Sequence, residues 1–312
     1  MPGIILLTCL VMKEVVMPIE VVAPELERIV SADQEVEVLG TGYGNQLGPA
    51  EGPVWWKEGG YLLFSDIGNN RRMKWAPGEG VTVFQEPSNF ANGLTRDRQG
   101  RLIACERGSR PGITRLDPDG SVTFAASSYQ GKRLNRPNDV VVKSDGSIYF
   151  TDPGAPDPTM ELDFSGVYRV SPDFGIITLL VRDFVLPNGL AFSPDENVLY
   201  INDTRRMHIR AFDVQPNGTL ALATDRIFCD LKGEWPGHAD GMKVDQEGNV
   251  YCTGPGGIWI LDPSGKHLGT ILLGDKSATN MAWGDDDLRT LYITNRDELD
   301  RIRLKIPGVP VP

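Results

Sequence analysis

The chain has 312 residues and a formal net charge of −11 at pH 7, which disfavours nucleic acid and anionic membrane surfaces as partners. Its 35 glycines and 23 prolines are typical of a protein built from turns. Its four cysteines are far apart and form no C-x-x-C pair, so they favour reduced thiols over a disulfide framework.

The N-terminus begins with a short apolar stretch from Ile4 to Met12. The stretch is too short to span a bilayer, and neither a preceding Lys or Arg nor a clear cleavage site marks it as a signal peptide. Met17 is an alternative natural start. We expect a cytoplasmic protein, with the periplasm as the alternative, in which residues 1–30 are an extension to one domain over residues 31–312.

A short polar motif recurs six times along the chain and opens a strand–turn–strand pattern each time. The six openings are Glu51-Gly52-Pro53, Asn92-Gly93-Leu94, Asn138-Asp139-Val140, Asn188-Gly189-Leu190, Asp240-Gly241-Met242 and Asn280-Met281-Ala282. They are 41, 46, 50, 52 and 40 residues apart, a period typical of one four-stranded propeller blade. The pattern predicts an all-β fold, a six-bladed β-propeller, with the six polar residues in a ring at one end of the central channel.

Within the repeats, tight turns that end in glycine lead into β-branched or aromatic runs, as Lys143-Ser144-Asp145-Gly146 does before Ile148-Tyr149-Phe150-Thr151. The second strand of four repeats ends in a polar residue that we expect to bind turn backbone: Asp66, Asp152, Asp203 and Asn295. Glu106 and Arg107 take the same place in the second repeat, where they are candidates to touch a polar substrate.

The last repeat is one strand short. Residues 279–283, 290–295 and 300–305 provide three strands before the chain ends. The run Glu35-Val36-Glu37-Val38-Leu39 alternates polar with apolar residues and precedes the first repeat. We predict that this run closes the ring by pairing with the last blade, which removes an exposed sheet edge. A separate surface strand is the alternative.

The ring of opening residues has the composition of a hard-cation site. It combines Glu51 and Asp240 with four asparagines, and Ca²⁺ is bound by carboxylate and amide oxygens. Zn²⁺ would call for imidazole or thiolate ligands, and none of the three histidines opens a repeat. We expect one divalent cation per chain. Ca²⁺ is the expected ion, and Mg²⁺, Mn²⁺ and Zn²⁺ are the alternatives. A purely structural role for these side chains, in hydrogen bonds to backbone groups, is the competing interpretation.

The motifs resemble those of the SMP-30/gluconolactonase/luciferin-regenerating-enzyme family. The resemblance spans the whole propeller and lies in Glu51-Gly52-Pro53, Arg136-Pro137-Asn138-Asp139, Pro187-Asn188-Gly189-Leu190, Ala239-Asp240-Gly241-Met242 and Thr279-Asn280-Met281-Ala282-Trp283-Gly284. The segment Val140-Val141-Val142-Lys143 is similar to that of bacterial gluconolactonase-like members, not to the animal pattern. The resemblance implies a propeller with one divalent cation in its channel and hydrolysis of a lactone.

The same resemblance implies roles for individual residues. Glu51, Asn188 and Asp240 would be metal ligands, and Asn138 a further ligand or a substrate contact. Arg136 and Asp139 match positions that face the sugar lactone, and Glu106 is our additional candidate. Asp240 is the family's usual candidate for the base that takes a proton from water. His238 is a second candidate, because imidazole titrates near neutrality and alternation would place it on the same face as Asp240.

These residues together favour a calcium-dependent hydrolase of a sugar lactone such as an aldonolactone. The small-molecule lactone is the expected partner, and the oligomeric state is open. Two alternative functions fit the same sequence. One is a metal-dependent hydrolase whose substrate is an aromatic lactone, another ester or a phosphotriester. The other is a propeller that binds a partner without catalysis, because a fold does not determine function.

Overall fold

The structure is a computed structural model that describes residues 18–154 and 159–311. It confirms the predicted six-bladed β-propeller, because six antiparallel sheets follow one another along the chain and their inner strands contact each other around a ring. Two short 3₁₀ helices, Pro24–Arg28 and Lys57–Gly59, lie between strands. In this described part of the chain, no helix has the length and apolar character needed to cross a membrane.

The strands of the first three blades follow the predicted order, from the channel outwards. Before them come β1 (Ile19–Val21) and β2 (Glu37–Thr41), which join later blades. Blade one is β3 (Ala50–Trp56), β4 (Tyr61–Asp66), β5 (Arg71–Ala76) and β6 (Gly80–Gln85). Blade two is β7 (Leu94–Arg96), β8 (Leu102–Glu106), β9 (Gly112–Leu116) and β10 (Val122–Ala126), and a hairpin of β11 (Ser128–Tyr129) and β12 (Lys132–Arg133) follows it. Blade three is β13 (Val140–Val142), β14 (Ile148–Asp152), β15 (Gly166–Val170) and β16 (Ile177–Val181).

The last three blades continue the arrangement. Blade four is β17 (Pro187–Phe192), β18 (Val198–Asp203), β19 (His208–Val214) and β20 (Leu220–Asp230). Blade five is β21 (Met242–Val244), β22 (Val250–Gly254), β23 (Gly257–Leu261) and β24 (His267–Leu272). Blade six has three strands of its own, β25 (Ala278–Gly284), β26 (Thr290–Asn295) and β27 (Glu298–Arg303).

The predicted closure of the ring is confirmed, with a shift in the position of the closing strand. Strand β2 pairs antiparallel with β27, so that blade six gains its fourth strand from the beginning of the chain. The strand covers residues 37–41, two residues later than the predicted run of residues 35–39. An ion pair of 2.8 Å between Arg301 Nε and Glu37 Oε2 lies within this pairing, and a bulge follows between Val38 and Gly40.

Residues 18–30 pack against the propeller. Strand β1 pairs with β24 and becomes the fifth strand of blade five. Leu26, Ile29 and Val30 are buried in the apolar cluster between blades five and six. Burying such a side chain contributes about 1.5–3 kcal/mol to stability. The apolar stretch from Ile4 to Met12 and the alternative start at Met17 lie outside the described residues.

Candidate active site

The six opening residues gather at one end of the channel, because the openings of neighbouring blades are joined by backbone hydrogen bonds. The amide of Gly93 donates to the carbonyl of Asn138 at 2.9 Å, and the amide of Gly189 donates to the carbonyl of Asp240 at 3.0 Å. Gly241 donates in the same way to Thr279 at 2.7 Å. These bonds join the openings of blades two and three, four and five, and five and six, and we call the six openings together the collar.

Glycine after the polar residue is what allows the collar to be this tight. Gly52 has a φ of +52°, and a Cβ there would lie 2.1 Å from the carbonyl oxygen of Asn92. A Cβ on Gly189 would lie 2.2 Å from the carbonyl oxygen of Asp240. Any larger residue would push the neighbouring strand outwards. The recurring polar–glycine dipeptide thus marks close backbone approach as well as the start of a blade.

A chain of side-chain amides runs through the collar. Asn92 Nδ2 donates to Asn138 Oδ1 at 2.8 Å, and Asn138 Nδ2 donates in turn to Asn188 Oδ1. On the other side of the ring, Asn280 Nδ2 donates to Glu51 Oε2 at 3.1 Å. These bonds hold the amide groups in fixed orientations, as a ligand set needs.

Three carboxylates of the site repel one another electrostatically. Glu51 and Asp139 are 4% and 1% exposed, and Asp240 is partly exposed. Burial raises the pKa of Glu51, and the negative charge of Asp139 raises it further. Burial likewise raises the pKa of Asp240 well above its ordinary value, with the charges of Glu51 and Asp139 adding to the effect. A divalent cation would neutralise two of these charges.

Arg107 lies beside these carboxylates. Its Nε donates to the carbonyl of Pro137 at 3.2 Å, and its Nη2 donates to Asn138 Oδ1. Burial lowers the pKa of this guanidinium, while the charges of Glu51 and Asp240 act in the opposite direction. Arg107 therefore holds the amide of Asn138 in place and supplies positive charge to the site.

Lys243 is a residue of the site that our sequence analysis missed. Its Nζ lies 4.0 Å from Asp139 Oδ2 and 3.3 Å from Asn280 Oδ1. It stands three residues after Asp240, on the inner strand β21. Strand alternation would place residues at this odd spacing, Asp240 and Lys243, on opposite faces. The long side chain of Lys243 reaches the ring nonetheless. A lysine on an otherwise apolar inner strand was the feature of the sequence that could have indicated this.

Three other predicted site residues make contacts outside the ring. Arg136 is exposed, and its backbone amide donates to Asp152 Oδ1 at 2.7 Å. Glu106 accepts hydrogen bonds from Asn89 Nδ2 at 2.6 Å and from Thr114 Oγ1 at 2.8 Å, which tie it to its own blade. His238 has an exposed side chain, and its carbonyl accepts a hydrogen bond from Thr253 Oγ1 at 2.8 Å.

Asp152 supports the segment that leads into the site. Its carboxylate is completely buried and accepts the amides of Asn135 at 2.9 Å and Arg136 at 2.7 Å. Burial raises the pKa of Asp152 to about 7. Asp203 makes the equivalent bonds in blade four, to the amides of Val185 and Leu186. These contacts agree with the backbone-binding role expected for this recurring position.

The donor set fits a hard cation. Two carboxylates, Glu51 and Asp240, lie in a ring whose other polar groups are amides, the chemistry that Ca²⁺ prefers. Within residues 18–154 and 159–311, no group of three or more His, Cys, Asp and Glu side chains is arranged to hold a metal. Asn92 Oδ1 is buried in the described structure without a hydrogen-bond partner, so the ring has one unsatisfied acceptor beside the proposed ligands, and we do not count Asn92 among them.

The opposite end of the channel has a more apolar lining. A cavity of about 330 Å³ there is lined by later residues of the inner strands, among them Val54, Val142 and Val244, and by the C-terminal residues Val309 and Val311. None of the six opening residues lines this cavity, but Asp195, Glu196 and Lys243 do. The cavity is therefore mainly apolar and carries a few charged groups.

Comparison with known proteins agrees with the fold. The profile of the SMP-30/Gluconolactonase/LRE-like region matches residues 49–296, and the chain belongs to this family. A gluconolactonase of Zymomonas mobilis is 33% identical over 92% of this chain and 86% of its own length. A pentonolactonase of Haloferax volcanii is 28% identical over 78% of this chain and 80% of its own. A solved gluconolactonase from Xanthomonas campestris, 34% identical, superposes with a TM-score of 0.81 over 92% of this chain and 95% of that one.

Proposed function

We propose that the protein hydrolyses a sugar lactone with the help of one divalent cation, Ca²⁺, bound in the ring. The observation that carries the proposal is the convergence of Glu51 and Asp240 with the amides of Asn138 and Asn188 at one end of the channel. The names of the similar proteins, a gluconolactonase and a pentonolactonase, support an aldonolactone as the substrate.

Glu51, Asp240 and the amide oxygens of Asn138 and Asn188 would hold the cation. Bound there, a cation supplies Lewis-acid polarisation of the lactone carbonyl and stabilisation of the developing oxyanion. The protein's own contribution is positioning. Asn188 Nδ2 donates to Thr204 Oγ1 at 3.1 Å, and Arg107 with Asn92 fixes the amide of Asn138. Arg136, two residues before Asn138, would orient the hydroxyl groups of the sugar.

Asp240 is our candidate for the group that takes a proton from the attacking water. It is partly exposed, so water can reach its carboxylate, and it matches the position that the family resemblance assigns to the base. Water adds to the carbonyl carbon, the ring C–O bond breaks and the ring oxygen is protonated. The product is a hydroxy acid that releases one proton at neutral pH. His238 is the alternative base, and it would act from an exposed position.

A pH-indicator assay tests this proposal directly. The full chain is freed of metal with EDTA, reloaded with Ca²⁺, Mg²⁺, Mn²⁺ or Zn²⁺, and offered D-glucono-1,5-lactone, an aryl lactone, an aryl ester and a phosphotriester. We expect acid release from the sugar lactone with Ca²⁺ and its loss in EDTA. Asp240→Asn should abolish it, whereas Asp286→Asn, the same exchange at an exposed position, should not. Hydrolysis that persists in EDTA, or a strong preference for the phosphotriester, would overturn the proposal.

A further inference from the structure

The side-chain oxygen of Asn138 already has two hydrogen-bond donors. Asn92 Nδ2 donates to Asn138 Oδ1 at 2.8 Å, and Arg107 Nη2 donates to the same atom. An amide oxygen has two lone pairs, so these two bonds use its whole capacity as an acceptor. A cation can therefore bind this oxygen only after one of the two donors has left it.

Of the two donors, Arg107 is the one that can leave. Asn92 is 3% exposed, and its short side chain is fixed by the backbone of the collar, whose Asn92 amide donates to the carbonyl of Cys105 at 2.8 Å. Arg107 is partly exposed, and its guanidinium is carried on a long side chain. It can turn away from Asn138 without any movement of the backbone.

The charges of the ring also favour an exchange of Arg107 for a divalent cation. When ionised, the carboxylates of Glu51, Asp139 and Asp240 carry three negative charges. Lys243 Nζ, 4.0 Å from Asp139 Oδ2, offsets one of them. The two that remain match one divalent cation, and Glu51 and Asp240 are the carboxylates whose charges act on Arg107. A divalent cation and Arg107 together would leave an excess of positive charge.

We propose that Arg107 is the counter-cation of the ring in the metal-free protein, and that a divalent cation binds by displacing its guanidinium from Asn138. This inference rests on the proposed function for the place of the cation, and it specifies how the ring admits that cation. Arg107 offsets part of the repulsion between the carboxylates while no metal is bound. The same contact lowers the affinity of the ring for Ca²⁺, because the bond to Asn138 must first be broken.

Calorimetry of Ca²⁺ binding to the full chain tests the displacement. Arg107→Met should raise the affinity by about 10-fold or more, because it removes both a competing donor and a positive charge. A residue that only positioned Asn138 as a ligand would have the opposite effect, since its loss would weaken binding. Arg110→Met is the matched control, because Arg110 is exposed and its Nη2 donates to Ser127 Oγ at 3.1 Å. Its affinity should stay within about 2-fold of the wild type.

A free guanidinium ion separates displacement from a general charge effect. Arg107→Ala leaves room where the side chain was, and guanidinium retains the planar set of N–H donors. We expect about 20 mM guanidinium chloride to weaken Ca²⁺ binding by this variant about 3-fold or more, and the same concentration of NaCl to have less than half that effect. The wild type, which carries its own guanidinium, should respond equally to the two salts.

The wild type itself provides a measurement that needs no variant to fold well. The NMR signal of Arg107 Nε–H is identified by its absence from the spectrum of Arg107→Lys. This group donates to the carbonyl of Pro137 at 3.2 Å. Saturation with Ca²⁺ should speed its exchange with solvent by about 10-fold or more, because the displaced side chain gives up this bond as well. An unchanged exchange rate at saturation would overturn the displacement.

The outcomes distinguish this inference from the proposed function. Equal or weaker Ca²⁺ binding by Arg107→Met, with Ca²⁺-dependent hydrolysis of the lactone by the wild type, would overturn the displacement and leave the lactonase proposal intact. Tighter binding by Arg107→Met that guanidinium reverses in Arg107→Ala, without hydrolysis of any lactone by the wild type, would support the displacement and refute the lactonase proposal. Failure of the wild type and of both variants to bind Ca²⁺ would refute both.

Discussion

Replacing Asp152 with asparagine should change the stability of the protein in opposite directions at low and high pH. The carboxylate accepts two backbone amides, and Asp152→Asn keeps one of these acceptors and turns the other into a donor. The lost hydrogen bond costs about 1–3 kcal/mol at any pH. The variant also removes a buried charge, which stabilises the folded protein. The size of this stabilisation depends on pH, because burial raises the pKa of Asp152 from 3.8 to about 7 in the folded protein.

The sign of the pH effect follows from the direction of the shift. A carboxyl group with a raised folded pKa is protonated in both states below pH 3.8 and costs nothing there. The penalty grows as pH rises through that value and is complete above pH 7. A shift from 3.8 to about 7 corresponds to about 4 kcal/mol, of which about 3 kcal/mol develops between pH 5 and pH 8.5. The free energy of unfolding of the variant, relative to that of the wild type, should therefore rise by about 3 kcal/mol between pH 5 and pH 8.5.

Urea unfolding of both proteins in EDTA, at pH 5 and pH 8.5, measures this difference. Other titrating groups cancel in the comparison, since the two chains differ at one position. In thermal unfolding the same change corresponds to roughly 4–5 °C in Tm for a chain of 312 residues. A variant that is less stable than the wild type by the same margin at both pH values would refute the reasoning. It would mean that the amides of Asn135 and Arg136 fully offset the cost of burying the charge.

The remaining predictions concern the ring and its closure. Glu51→Gln and Asp240→Asn should each weaken Ca²⁺ binding, measured by calorimetry, by about 100-fold or more, because each removes one of the charges that neutralise the cation. Asn92→Ala should weaken it less than about 10-fold, and an effect as large as that of Asp240→Asn would contradict our ligand assignment. Deleting residues 1–16 should leave Tm unchanged, whereas deleting residues 1–41 removes β1 and β2, exposes the edge of blade six and should lower Tm by roughly 10 °C or more. A soluble and equally stable protein without residues 1–41 would show that neither strand matters for closure.

The repeats were predictable because a blade is a local unit. Each consists of neighbouring antiparallel strands joined by short turns, so period and turn chemistry suffice to locate it. The closing strand was predictable in kind but shifted by two residues. Alternation of polar and apolar residues favours a strand, and it does not set the register against a partner more than 250 residues away. The packing of residues 18–30 on blade five was not predictable for the same reason.

The ring residues were predictable because they share one position in every repeat. Of the cations around them, Arg107 was a candidate from its place in the second repeat, whereas Lys243 was missed. Lys243 comes from the alternate face of its strand and still reaches Asp139, and Arg107 reaches Asn138 from the preceding blade. The orientation of a long, flexible side chain depends on the charges that surround it in the folded protein. Their positions depend on tertiary structure that no spacing in the sequence encodes. Asp152, by contrast, binds the backbone at Asn135 and Arg136, as its recurring place at the end of a second strand predicted.

The pairing of β2 with β27 has a consequence for how the protein is made. Glu37 and Arg301, which meet in this pairing, are 264 positions apart, so the first of them leaves the ribosome long before its partner exists. At about 5–20 residues per second, the wait is roughly 13–53 s, far longer than the microseconds in which a hairpin forms. Blades one to five can assemble in order during this time, while β2 stays without its partner. Synthesis of β27 is therefore the step that allows the ring to close, and a ribosome stalled before Arg301 would hold five blades and a free strand.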